Sequence, residues 1–309
     1  MKNVSSSLYS FVAPNVQVPM GLRMLGTLTG FTDAGGSVAQ VSSNITAHLD
    51  STLVVKFNND DLLDYRSRRP VVYFDKDHLE IFEPPILGIY LVKDEIGQQF
   101  LYLDGYEPDF KWEAFAEAIE QIIDNFAVSE FIWIHSIPFP APHTRPLGVT
   151  VSGNRDDLIA RFSQWRPETQ IPGTIVHLLE YRLREIGLPT TGFVILVPHY
   201  LAESEFPDVA IKAFELVAAA TSLVFPTDHL RDESRRFLKR IQEKVAENQD
   251  LAKMIGNLEQ GYQSSKDSTL GARITPNIQG VPSAEQIAAE LEDFLASRNK
   301  NSQDDQEDN

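Results

Sequence analysis

The sequence predicts an α/β fold: a mixed sheet flanked by helices, with an all-helical C-terminal appendage. Three observations predict it. Short apolar runs alternate with segments of helical periodicity through residue 221. A hairpin pattern interrupts that alternation, so the sheet is mixed rather than purely parallel. From Thr227 the texture changes, and residues 228–263 are charged and helical with no strand signal.

Taken in order, residues 1–20 are polar and proline-spaced, which predicts an arm laid on the surface. Leu22–Leu28 reads as a strand. A glycine-marked turn, Gly30 to Gly36, follows it. Ser37–Leu49 then places Val38, Val41, Ile45 and Leu49 three and four apart, the spacing of one helical face. Leu53–Phe57 returns to strand. Such a unit normally closes as a right-handed crossover between parallel strands.

The segment Asn58 to Pro70 is dense in charge and stopped by proline. Val71–Phe74 and His78–Phe82 flank Asp75-Lys76-Asp77, an antiparallel hairpin. Ile86–Val92 and Gln99–Leu103 are strands joined through Gly97. Lys111–Phe126 is the clearest helix, because Trp112, Phe115, Ala116, Ile119, Ile122, Ile123 and Phe126 form one stripe at period 3.6. A stripe that regular is core packing. Glu130–Ile137 is nearly all apolar, which suits a strand covered on both faces.

Four prolines stiffen the loop Pro138 to Pro146, and Leu147–Ser152 is a short strand. Thr174–Ile186 is helical, ended by Gly187 and Pro189. Gly192–Pro198 is a buried strand, with His199-Tyr200 directly after it. Asp208–Ala220 is an alanine-rich helix. Beyond the appendage, Ser264–Gly280 reads as a loop and Ser283–Ser297 as an amphipathic helix. The acidic residues 298–309 read as a disordered tail. The organisation is therefore an arm (1–20), an α/β core (21–227), a helical cap (228–263), a loop with a C-terminal helix (264–297) and the tail.

Composition excludes several classes of function. The 309 residues are 42% hydrophobic, enough for a sizeable core. A formal net charge of −17 disfavours a nucleic-acid backbone as partner. There is no cysteine, which removes disulfides, thiolate metal sites and a cysteine nucleophile. The longest apolar run, Phe193 to Pro198, is far too short to cross a bilayer. Met1 to Pro19 is no signal peptide. A cytoplasmic protein without membrane contact is the expectation.

In open α/β sheets, sites lie outside the carboxyl ends of the strands. Gly30–Gly36, His135–Arg145 and His199-Tyr200 each follow a strand, so parallel neighbouring strands would bring them to one crevice. The glycine turn matches no nucleotide-binding fingerprint. Gly35-Gly36-Ser37-Val38-Ala39 is a loose nucleophile-elbow pattern centred on Ser37. Alternatively Asp33 caps the helix and the glycines take positive φ. These readings compete, since a capping carboxylate occupies the amides that an anion needs. Arg66, Arg68 and Arg69 suit forked contacts to phosphate or carboxylate, or pairing with nearby aspartates or another subunit. His135, His143 and His199 lack metal-ligand spacing, and an imidazole such as that of His143 or His199 suits acid–base work. The helical region 228–263 suits a lid, a contact with another chain, or a hairpin stacked on the core.

Several of these segments resemble a known family: Gly30-Phe31-Thr32-Asp33-Ala34-Gly35, Leu62 to Pro70, Pro142-His143-Thr144-Arg145-Pro146, Val197-Pro198-His199-Tyr200-Leu201 and Pro282-Ser283-Ala284-Glu285. They are similar to the actinobacterial branch of the proteasome assembly chaperone family, over roughly residues 20–297. The resemblance implies a phosphorylase/hydrolase-like α/β fold and homo-oligomers, often trimers. Some relatives dock on the proteasome core through a C-terminal hydrophobic-tyrosine motif, which the ending Gln306-Glu307-Asp308-Asn309 lacks.

The candidate ligand-binding residues are thus Asp33, Gly35, Gly36, Arg66, Arg69, His143, Arg145, His199 and Tyr200. No catalytic residue is assigned, and neither a metal nor another cofactor is expected. The leading expectation is a non-enzymatic, homo-oligomeric assembly protein, a homotrimer with chaperone character and a protein partner. The rival is a phosphorylase- or hydrolase-like enzyme acting on a small anionic or nucleoside-like substrate.

Overall fold

A computed structural model describes residues 8–267, with side chains through Tyr262. In chain order the elements are β1 (Tyr9–Phe11), β2 (Arg23–Thr29), α1 (Ser37–His48), β3 (Asp50–Phe57), α2 (Asn59–Leu62), β4 (Val71–Asp75), β5 (His78–Glu83), β6 (Gly88–Lys93) and β7 (Gln99–Tyr106). Then follow α3 (Trp112–Phe126), β8 (Glu130–Phe139), β9 (Gly148–Gly153), α4 (Asp156–Phe162), α5 (Ile175–Glu185), β10 (Thr190–Pro198), α6 (Pro207–Thr221), α7 (Asp228–Glu247) and α8 (Gln249–Asp267).

Eight strands form one mixed sheet in the order β1-β3-β6-β7-β2-β8-β10-β9. The central strands β7, β2, β8 and β10 are mutually parallel, and antiparallel strands lie on both sides of them. Helices cover both faces. Along β8 the side chains alternate: Phe131 and Trp133 enter the core that holds α3 and α5, while Ile132 and Ile134 enter the core that holds α1 and α6. That two-sided burial is why the strand reads as a continuous apolar run.

The architecture is the expected one, with four differences of detail. First, β3 runs in the same direction as β2, as a crossover requires, but β7 and β6 lie between them. Second, Tyr9–Phe11 is not surface arm: it pairs antiparallel with β3 as an edge strand, with Leu8 and Tyr9 buried. Third, α4 lacks an apolar stripe, burying only Leu158, so periodicity does not announce it. Fourth, the second appendage helix runs on to Asp267, past the predicted break at Ser264. The rest of that loop, the helix predicted over Ser283–Ser297 and the acidic tail lie outside the described residues.

The hairpin β4–β5 forms its own two-stranded sheet, separate from the main one. Val71, Val72, Tyr73, Phe74, Leu79, Ile81 and Phe82 are all 45–67% exposed. An isolated two-stranded hairpin is at best marginally stable in water.

Candidate functional site

Because β2, β8 and β10 are parallel neighbours, their carboxyl ends bring the glycine turn, the proline loop and His199-Tyr200 to one edge of the sheet. Asp33 forms a bridge with Ser136 of β8. The Gly35 N–H donates to the Ala202 carbonyl at 2.7 Å, and the Gly35 carbonyl accepts from the Phe206 N–H at 3.0 Å. Gly35 takes φ 71°, and a Cβ there would lie 2.9 Å from Val209 Cγ2. Only glycine meets both demands without strain.

Asp33 caps α1 from outside. Its Oδ1 accepts from the Val38 N–H at 2.9 Å and its Oδ2 from the Ala39 N–H at 3.1 Å. Ser37 Oγ donates to Asp33 Oδ1 at 2.9 Å. Ser136 Oγ lies 2.7 Å from Ser37 Oγ and 2.7 Å from the Ala34 carbonyl. The capping reading therefore describes this turn. Ser37 is fully buried and its proton faces a carboxylate rather than an imidazole, so the nucleophile-elbow geometry is not realised.

The proline loop is tied to β10. Tyr200 OH accepts the His143 backbone N–H at 2.7 Å and lies 2.7 Å from His143 Nδ1. Burial pushes the His143 imidazole below its ordinary range and the Tyr200 phenol above its own. The exposed His199 ring packs edge-on against Tyr200, centroids 5.4 Å apart.

The appendage reaches this loop. Arg145 meets Glu259 Oε2 of α8 through Nε at 2.8 Å and Nη2 at 2.7 Å, and Thr144 Oγ1 donates to Oε1. The Arg145 guanidinium also sits 5.7 Å from the Tyr262 ring centroid. A cleft of about 210 Å³ runs from His143 and Arg145 to Asp208 and Lys212.

His135 does not follow the strand as expected: it lies in the middle of β8, which runs on to Phe139, and is buried beside Phe31, ring centroids 6.3 Å apart. Desolvation pulls its pKa down to about 4, against a smaller upward pull from Asp33. Arg66 and Arg69 are exposed at the base of the hairpin; Arg66 approaches Asp64 at 3.7 Å. Arg68 instead binds Asp109 Oδ1 at 2.5 Å. Among the described residues, the one set of histidines and carboxylates with ligand atoms within 4.8 Å of one another is Asp75, His78 and Glu80, at the hairpin tip.

Sequence reasoning missed Ser136, Glu259 and the polar network around Asp104. Thr27 Oγ1 donates to Asp104 Oδ1 at 2.8 Å, Tyr102 OH at 3.0 Å, and Ser42 Oγ to Oδ2 at 3.0 Å. Burial raises the Asp104 carboxyl above its ordinary range. The one available signal was polar residues, Thr27 and Ser42, amid apolar segments of β2 and α1.

Within the crevice, most groups suited to an anion already have internal partners. Two amides of the helix start are held by Asp33, Arg145 by Glu259, and His143 Nδ1 by Tyr200.

The solved structures most informative for this arrangement are actinobacterial. The protein of unknown function Rv2714 from Mycobacterium tuberculosis is 36% identical, with TM-score 0.78, over 84% of this chain and 90% of that one. A protein of unknown function from Corynebacterium glutamicum is 31% identical, with TM-score 0.81, over 86% of this chain and 100% of that one. The proteasome-assembly chaperone homologue Rv2125 from Mycobacterium tuberculosis shares the fold at 20% identity, with TM-score 0.69, over 76% of this chain and 100% of that one. No match is found among the curated proteins. The family model described as the PAC2 family matches residues 27–245, more than half of the chain. On that match, and on relatives above 30% identity across most of both chains, the chain belongs to the PAC2 family.

Proposed function

We propose that this PAC2 protein is a cytoplasmic, non-enzymatic assembly factor that works as a homo-oligomer, a trimer by the family resemblance, and engages a protein partner. The observation behind this reading is the β4–β5 hairpin. Seven large apolar side chains stand exposed on a two-stranded sheet apart from the main sheet. Apolar patches beyond a few hundred Å² mark interaction surfaces on soluble proteins. Both hairpin faces are apolar, so a single flat contact would leave one of them wet.

The hairpin tip, Asp75-Lys76-Asp77 with Glu80, is net acidic, and its base carries Arg66 and Arg69 beside Asp64 and Glu83. A head-to-tail contact between hairpins closes a ring under rotational symmetry. The fold shared with a proteasome-assembly chaperone homologue fits an assembly role. The enzymatic alternative is not favoured, since most of the crevice groups suited to an anion already have partners within the fold.

Co-purification tests the reading. An untagged copy should accompany a tagged copy through affinity capture when both carry the native hairpin. With Phe74→Ser and Phe82→Ser in both copies, the untagged copy should be lost while circular dichroism stays native. Capture that is indifferent to these exposed substitutions would count against the hairpin as the association surface.

A further inference from the structure

The tip of the β4–β5 hairpin gathers metal-ligating side chains that the assembly reading does not use. Asp75 closes β4, His78 opens β5, and the two face each other across the ladder. Directly opposed residues of an antiparallel pair project from the same face. Glu80 stands two positions after His78 and so shares that face. The register shifts at this point: Phe74 pairs with Leu79 and Tyr73 with Ile81, which leaves Glu80 as the extra residue of a bulge. Bulges re-aim side chains. Register and bulge together bring one ligand atom each from Asp75, His78 and Glu80 within 4.8 Å of one another.

The imidazole separates this cluster from an ordinary acidic patch. His78 Nδ1 lies 2.8 Å from Asp77 Oδ1. An ionised carboxylate only accepts, so Nδ1 carries the proton and the neutral ring keeps its lone pair on Nε2. Nε2 in turn lies 4.0 Å from Glu80 Oε1. A carboxylate on one imidazole nitrogen, with the other nitrogen turned towards further ligands, is the outer-shell arrangement of a metal-bound histidine. Donor atoms in a tetrahedral site with bonds of about 2.1 Å lie about 3.4 Å apart, so closing the set takes a movement on the order of 1 Å. The side chains of His78 and Glu80 are 59% and 48% exposed and free to make it. Charge matches as well. Three carboxylates, Asp75, Asp77 and Glu80, against the one ammonium of Lys76 give the tip a formal charge of −2, which a divalent ion cancels.

We propose that the hairpin tip binds one divalent metal ion of the zinc class, held by Asp75, His78 Nε2 and Glu80. One nitrogen and two oxygens suit such an ion better than Mg²⁺ or Ca²⁺, which take oxygen ligands. The ligands come from both strands, so the ion clamps β4 to β5 in a hairpin that no third strand supports. All three belong to one chain, so the site does not depend on whether hairpins of separate copies associate. An aspartate three before the histidine and a glutamate two after it match no standard ligand motif, which is why the sequence raised no expectation of a metal.

Isothermal titration of the untagged full chain with zinc chloride, in HEPES with about 150 mM salt to screen diffuse attraction, tests this. One saturable site per chain is expected. His78→Ala should weaken it tenfold or more, and Glu80→Gln at least threefold. His48→Asn, which removes an exposed histidine outside the hairpin, should change it less than twofold. All three positions are exposed, so folding is preserved. Magnesium chloride should give no saturable binding over the same concentrations. Three results would overturn the proposal: no saturable zinc binding, equal weakening by His78→Ala and His48→Asn, or magnesium binding as tight as that of zinc.

Discussion

Asp33 holds the start of α1 by accepting two amide protons that the helix cannot satisfy internally. Asp33→Ala should therefore lower stability by about 1–2 kcal/mol, read as a fall in thermal midpoint of several degrees, and Asp33→Asn should recover part of it. This residue was legible in the sequence, because a carboxylate ahead of two glycines and a helical stretch is a capping pattern. His135 was legible only as part of the apolar run Glu130–Ile137. Its imidazole is neutral in the fold, with a pKa lowered to about 4 by burial. Protonation favours the unfolded chain, whose histidine titrates near 6.5, so His135's contribution is complete above pH 6.5 and fades as pH falls towards 4. The loss is at most about 3 kcal/mol. Asp104, Glu107 and Glu180, whose carboxyls burial raises, act with the opposite sign. Urea unfolding of wild type and His135→Phe at pH 7 and pH 4.5 separates them. The wild type should lose more stability on acidification than the variant, and equal losses would remove His135 from the account.

At the scale of elements, α8 is anchored to the proline loop through Glu259, which meets Arg145 and Thr144, and through the Tyr262 ring beside Arg145. Few buried side chains hold this helix otherwise; of those described, Ile255 is the buried one. Glu259→Ala should raise amide exchange across residues 249–262 at least tenfold, leaving β8 and β10 unchanged. Arg145→Ala should do the same, because it removes the other half of the contact. Unchanged exchange in both variants would mean that other contacts hold the helix. Helices α3, α5 and α6 and the central strands were readable from their apolar periods. The Arg145–Glu259 contact was not, since 114 positions separate its partners and a surface carboxylate on a charged helix carries no pattern. Helix α4 and edge strand β1 escaped for a related reason: each buries too little to impose a period.

For the whole molecule, the alternation of strands and helices was enough to place three separate loops at one sheet edge, because parallel neighbours must end on the same side. The strand order was not readable, and β3 landed two strands away from β2. Nor did the sequence show that the hairpin stands apart from the sheet; its alternating pattern is equally that of a strand pair within the sheet. That separation makes self-association the central claim, since seven exposed apolar side chains on both hairpin faces call for a covering chain. Light scattering coupled to size exclusion, from micromolar concentration upwards, tests it most directly. The account predicts a mass near three times 34.7 kDa for the native chain, falling to 34.7 kDa for Phe74→Ser/Phe82→Ser with the fold retained. A native chain that elutes at 34.7 kDa at every concentration would contradict it.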